Sequence, residues 1–177
     1  MPRRGIGGIL LAGWLAVLAG CAPVNDPSAG LSMADAVALI EKTPRSARTP
    51  AELAEAFALN SRATDVQRKM LTTDVVGRSV EWDLPVYEVE FTEGRYKVTS
   101  QAIPVQDADA VPLLRVVAFV LPRNEADDAL LRAVKTGEVI RIRGVVQEIQ
   151  LRTIVAVVPG VVVGSSTSEA TPGTGTT

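Results

Sequence analysis

The chain has 177 residues, 47% of them apolar and 21% charged, and its 18 lysines and arginines against 20 aspartates and glutamates give a formal charge of −2. That length holds one domain with extensions, and the balance excludes both wholesale disorder and the basic excess of a charge-driven nucleic-acid binder. There is no histidine and a single cysteine, Cys21, which excludes Ser-His-Asp and Cys-His catalysis, histidine-bearing zinc sites and an internal disulfide.

Arg3 and Arg4 precede sixteen uncharged residues, Gly5 to Gly20. A positive stretch followed by an apolar one has the order of a secretory signal peptide. The run is shorter than the about 20 apolar residues of a spanning helix and is broken by five glycines. An export signal over residues 1–20 is therefore expected rather than a permanent span. The small residues end on the cysteine, as Leu18-Ala19-Gly20-Cys21, and this order resembles the lipobox of bacterial lipoproteins. The resemblance implies that the Cys21 thiol carries a lipid of the palmitate kind, that the signal peptide is cut before it, and that the new amine is acylated. Two or three acyl chains anchor stably, each buried CH₂ contributing about 0.8 kcal/mol. Ala22 follows where an aspartate would mark retention at the inner membrane, so the resemblance implies the outer membrane, with the body in the periplasm. Loss of the leader removes Arg3 and Arg4 and leaves a more acidic chain, which adds no attraction to anionic lipids.

Residues 21–31 combine the lipidated cysteine with prolines, a glycine and small polar residues and read as a flexible tether. Residues 164–177 are almost wholly Gly, Ser, Thr, Pro and Ala, cannot bury enough apolar area to offset their ordering entropy, and read as a disordered tail.

Residues 32–73 form a helical lead-in. Ser32 caps a helix with Met33, Ala36, Val37 and Ile40 at helical spacing, ended by Pro44. Thr49-Pro50-Ala51-Glu52 supplies a cap, a proline at the first helical position and the acid of a capping box, with Leu53, Ala56, Phe57 and Asn60 on one face. A third helix, capped by Ser61 or Thr64, places Ala63, Val66 and Met70 on its apolar side and Arg62, Asp65, Arg68 and Lys69 in solvent.

Over residues 74–163 the period becomes two. Val80, Trp82 and Leu84 alternate with polar residues, Pro85 intervenes, and the apolar phase is expected to return one residue out of step as Tyr87, Val89 and Phe91. Because proline cannot donate to a ladder, a bulge or an edge is expected there. Thr92-Glu93-Gly94-Arg95 signals a hairpin leading into a strand from Tyr96 to Ile103. Leu113 to Leu121 is a nearly continuous apolar run of strand length, expected to be buried on both faces. A helix capped by Asn124 follows, with Ala126, Leu130, Ala133 and Val134 inward and Gly137 beyond its end. Val139 to Leu151 reads as a long strand kinked at Gly144, where a β-branched residue would have to adopt a disfavoured backbone angle or flatten the strand, and Arg152 to Val163 closes the set.

The fold class is thus mainly β with short N-terminal helices (α+β). Five strands with one helix between the third and fourth is the plan of an OB-fold barrel. Residues 54–158 also resemble the tRNA-anti-like OB-fold proteins of bacteria. The likeness is carried by the helical lead-in from Ala54 to Ala63 and by Leu131-Arg132-Ala133-Val134-Lys135-Thr136-Gly137-Glu138-Val139-Ile140-Arg141-Ile142-Arg143-Gly144-Val145.

A barrel of this plan binds single strands through a basic groove with exposed aromatic platforms. Residues 74–163 hold ten Lys and Arg against thirteen Asp and Glu. On the second strand Tyr96 and Val98 alternate with Lys97, Thr99 and Gln101, and Trp82, Tyr87, Phe91 and Phe119 fall in apolar phase and are assigned to the core. Arg141 and Arg143, two apart and so on one face, are the weak ligand-binding candidates together with Lys97, able to grip a carboxylate or phosphate. Cross-strand pairing with Glu88, Glu90 or Glu148 is the favoured alternative. Asp107 with Asp109 and Asp127 with Asp128 are carboxylate pairs without a base, the latter in the first turn of a helix. No catalysis, metal or cofactor is expected. The expected function is a non-catalytic OB-type module of an outer-membrane lipoprotein that binds a protein or glycan of the cell envelope, with no nucleic acid as partner. A nucleic-acid-binding OB module is the alternative.

Overall fold

The computed structural model describes residues 30–107 and 109–166. The expected leader, Cys21, most of the tether and the chain end from residue 167 lie outside the described residues.

The lead-in helices start where their caps require. In α1 (Met33–Lys42) the Ser32 hydroxyl accepts the Asp35 N–H at 3.2 Å, and the helix stops before Thr43-Pro44, since a residue preceding proline is pushed out of the helical region. In α2 (Pro50–Phe57) the Thr49 side chain accepts from the Glu52 N–H while the Glu52 carboxylate accepts from the Thr49 N–H at 2.8 Å. Thr64 is the cap of α3 (Asp65–Val75), and Gln67 closes a second capping box. The apolar face of α3 differs from the expectation, because Val66 and Met70 are 69% and 63% exposed while Leu71 and Val75 turn inward. Arg68 sets this rotation. Its Nε–H donates to the Ala56 carbonyl at 2.9 Å, so the stripe Arg68, Leu71, Val75 faces α2 and the barrel.

Five strands follow, namely β1 (Ser79–Thr92), β2 (Arg95–Ser100), β3 (Arg115–Val120), β4 (Val139–Gln150) and β5 (Ile154–Ser166), with helix α4 (Glu125–Ala133) between β3 and β4. They close in the order β1-β2-β3-β5-β4, antiparallel at every pairing except β3 with β5. This mixed five-stranded barrel with its helix after the third strand resembles an OB-fold, and its class is mainly β, α+β, as the alternation implies.

Closure depends on β1 serving two partners. Ser79 to Pro85 pair with β4, and Val86 to Thr92 pair with β2, with a bulge between Val86 and Glu88. Pro85 has no N–H for a ladder, yet its carbonyl accepts the Gln101 N–H at 2.7 Å, so the changeover leaves that carbonyl satisfied. The hairpin turn to β2 has Glu93 and Gly94 both at positive φ, 53° and 80°, the geometry of a two-residue turn that matches strand twist.

The interior is filled by alternating residues such as Leu84, Val98, Val116, Ile140, Ile142 and Val157, and closed at one end by Leu131 of α4. The inward face of α4 is not the expected one. Asp127 and Leu131 are buried, Leu130 and Val134 pack partly, and Ala126 and Ala133 are exposed. Asp127 accounts for the difference of one residue. Its carboxylate accepts from Arg123 N–H at 3.0 Å and from Arg123 Nε–H at 2.8 Å, which fixes the first turn with this side chain inward.

Gly144 faces Gly160 across the β4–β5 ladder. A Cβ on Gly144 would stand 2.5 Å from Val157 Cγ1 and 2.6 Å from the Pro159 carbonyl oxygen, and Gly144 is not among the glycines at positive φ. Glycine is therefore needed for close approach of two strands and not, as expected, for a backbone angle. The strand also runs past its expected end. Gly164, Ser165 and Ser166 pair with Arg141, Ile140 and Val139, because ladder hydrogen bonds require backbone alone and not apolar side chains.

Candidate functional site

The two arginines of β4 share an outer face, as their spacing requires, but they do not form an open grip. Arg141 is engaged by Asp83, its partner across the β1–β4 ladder, with Nε–H and an Nη2–H each donating to one carboxylate oxygen at 2.8 Å. Hydrogen bonds from that guanidinium hold the Asp83 carboxyl below the usual carboxylate range. The partners expected from sequence, Glu88, Glu90 and Glu148, are not used, because the register sets Asp83 there instead. Arg143 faces Glu81 in the ladder, but Glu81 bonds Arg45 at 2.9 Å, and the buried Nε of Arg143 has no hydrogen-bond partner. This face carries cross-strand and tertiary ion pairs, with Arg141 and Arg143 both on it.

The outward residues of β1, β2 and β3 build a different surface. Lys97 lies beside Phe119 and Thr99 beside Val117 in one ladder, and Glu90 beside Lys97 and Glu88 beside Thr99 in the other. Tyr87, within the bulge, is 49% exposed, and the Arg115 guanidinium carbon stands 4.8 Å from its ring centroid. Two residues on from the Thr99–Val117 pair, Arg115 lies at the opposite end of this face from Lys97, four strand positions or about 13 Å away. Lys97 Nζ donates to Glu90 Oε2 at 2.7 Å. Between these ends Val117 and Phe119 join Val158 and Ile154 in an apolar cluster separate from the barrel interior. The face thus carries an exposed ring under a guanidinium, an apolar middle and a second cation.

Phe91 stands at the end of the barrel and lines one groove with Tyr87. It is in inward phase opposite Tyr96, with ring centroids 4.8 Å apart, but the barrel ends there and leaves it 57% exposed, with Arg132 5.7 Å from its ring. It borders a groove of about 260 Å³ shared with Val89, Leu131 and Thr136. Beside it the Tyr96 hydroxyl donates to Asp128 at 2.5 Å. Burial and that bond push the Tyr96 phenol up, while the bonds from Tyr96 and then Arg132 hold the Asp128 carboxyl down.

Of the four aromatics assigned to the core, Trp82 is buried with its Nε1–H donating to the Arg48 carbonyl at 2.8 Å. Phe119 is buried in the outer cluster rather than the interior, and Tyr87 and Phe91 are exposed. Val80, Trp82, Leu84 and Val86 continue in unbroken alternation into the interior, which throws Tyr87 outward. That signal was available in Val86, one residue beyond the proline. The carboxylate pairs do structural work. Asp127 is tied to Arg123, whose hydrogen bonds hold its carboxyl low, Asp128 to Tyr96 and Arg132, and Asp107 accepts the Asp109 N–H within its loop. Among the described residues no three metal-ligating side chains come together and no helix is long and apolar enough to cross a membrane.

No family model and no curated protein matches the chain. Among solved structures the chain is similar to the crystal structure of the S. pombe Stn1-Ten1 complex, at 13% identity over 48% of this chain and 57% of that one, with a TM-score of 0.27. A likeness of that size carries no inference about activity. The assignment of the four aromatics to the core, on which the exclusion of nucleic acid rested, fails at Tyr87 and Phe91, which are exposed. The expectation of an envelope protein or glycan as partner, with nucleic acid excluded, is corrected on that ground.

Proposed function

We propose that the barrel is a non-catalytic module that binds single-stranded nucleic acid across the outer face of β1, β2 and β3, by stacking more than by charge. The observation that carries this reading is Tyr87, half exposed on a strand with Arg115 over its ring, because a base can stack on that ring while the guanidinium meets the adjoining phosphate. At the far end stands a second cation, Lys97, paired with Glu90. The acidic balance of the domain then sets the character of binding rather than excluding it. Two cations neutralise at most two phosphates, and at about 0.7 per phosphate for single strands the slope of log affinity against log salt is no steeper than about −1.4.

Fluorescence anisotropy of a labelled oligothymidylate with the full chain in mild detergent tests the reading. Binding with that shallow slope is expected, together with a loss of about tenfold on Tyr87→Ala, since a stacked base is worth about 1–3 kcal/mol. Absence of binding at low salt, or a Tyr87→Ala chain that binds as wild type does, contradicts it.

The N-terminal order of Arg3-Arg4, apolar run and Leu18-Ala19-Gly20-Cys21 supports a location for this module, lipid-anchored through Cys21 on the periplasmic face of the outer membrane, where the strands it meets lie outside the cytoplasm. Acyl labelling that is lost in Cys21→Ala is the expected outcome, and membrane fractionation unchanged in that variant would instead favour a retained helix.

A further inference from the structure

The candidate face contains its own competitor for the ligand. Lys97 Nζ donates to Glu90 Oε2 at 2.7 Å, and the two side chains are only 37% and 46% exposed, so the carboxylate occupies the position a phosphate oxygen would take on that ammonium. The pair is set by the ladder, because Glu90 and Lys97 are direct partners in the β1–β2 register. At the other end Arg115 is held over a neutral ring, and neither a salt bridge nor a hydrogen bond of its side chain appears among the described residues. The two cations of the face are therefore unequal: one is free to meet an anion and the other is already neutralised.

We propose that Glu90 is a specificity-determining residue of this face, an internal anion that masks Lys97 and so rejects polyanions that bring charge without a base to stack. The inference rests on the stacking site at Tyr87. A ligand that stacks gains its binding from the ring and from Arg115, whereas a polyanion without bases must displace Glu90 to gain a second contact and has no stacking to offset the exchange. Like charges at Glu88 and Glu90 beside Lys97 add repulsion against any such chain.

The test compares the full wild-type chain with Glu90→Gln and with Glu90→Gln combined with Lys97→Ala, using labelled oligothymidylate and inorganic polyphosphate as probes. Wild type is expected to bind the oligonucleotide with a salt slope near about −0.7, one phosphate, and to ignore polyphosphate. Glu90→Gln is expected to steepen the slope to about −1.4, to tighten oligonucleotide binding about twofold to fivefold, as release of an exposed ion pair allows, and to begin retaining polyphosphate. Removing Lys97 in addition should cancel all three changes. Wild-type binding with a Glu90→Gln slope and polyphosphate response identical to wild type overturns the masking role and leaves the stacking site intact. If the wild-type chain ignores the oligonucleotide, the stacking site fails, and masking then fails with it unless Glu90→Gln retains polyphosphate through Lys97. Coincident melting curves of the variants exclude misfolding as the cause.

Discussion

The two halves of β1 are one strand with two environments. From Ser79 to Val86 nearly every second residue is buried, the ladder partner is β4, and the outward side chains Glu81 and Asp83 are tied to arginines. From Tyr87 to Thr92 the partner is β2 and five of the six residues are at the exposed end of the scale. Pro85 and the bulge after Val86 separate the halves: alternation unbroken through Val86 sets Tyr87 outward, and the bulge then returns Val89 and Phe91 to the inward phase. The comparison teaches that closure of the barrel and presentation of a face can be assigned to one strand, provided the change of partner coincides with a break in register.

The largest expected effect breaks the closed half. Gly144→Val places atoms where Val157 and the Pro159 carbonyl already stand, and overpacking between two strands costs about 3 kcal/mol; urea unfolding should show a midpoint well below wild type, with Gly144→Ala between them. A wild-type midpoint for Gly144→Val would mean that β4 and β5 are not closely apposed.

Asp127→Ala comes next. Its buried carboxylate accepts three Arg123 bonds at the start of α4, and losing them should cost about 2 kcal/mol at pH 7. Since the folded-state carboxyl is held low, that contribution is fully present above about pH 4, the ordinary aspartate range, and is lost as pH falls through the lower folded value. Melts of wild type and variant should therefore converge on acidification, and a gap that widens at low pH contradicts the ion pair.

Arg141→Ala should matter much less. Both members of its pair are nearly half exposed, so the melting midpoint is expected within about 3 °C of wild type. A larger drop would show the outer β1–β4 face to be structural rather than solvated. Smallest of all is the stability effect of Tyr87→Ala, whose side chain is half exposed; its melt should overlay wild type while binding falls.

What the sequence made legible was local. Ser32, Thr49 with Glu52, and Asn124 each cap a helix through a bond to a residue three positions away, and Gly144 marks a crossing of strands whatever its reason. The misassignments came from relations between distant segments. Which face α3 and α4 turn inward was decided by Arg68 reaching Ala56 and by Arg123 clasping Asp127, and neither bond is written in the apolar period. The partner of Arg141 depended on the β1–β4 register, which placed Asp83 rather than a glutamate opposite it. Tyr87 faces outward because the inward series runs on through Val86, so the change of phase falls at the bulge after Val86 and not at Pro85, where the proline alone points.

The most direct test of the stacking face is backbone amide chemical-shift mapping of the full chain in detergent as oligothymidylate is added. Perturbations concentrated at Tyr87, Thr99 and Arg115, with the β4–β5 face around Arg141 and Gly144 silent, are the predicted result. Perturbations centred on Arg141 and Arg143, or none anywhere at low salt, would contradict the account.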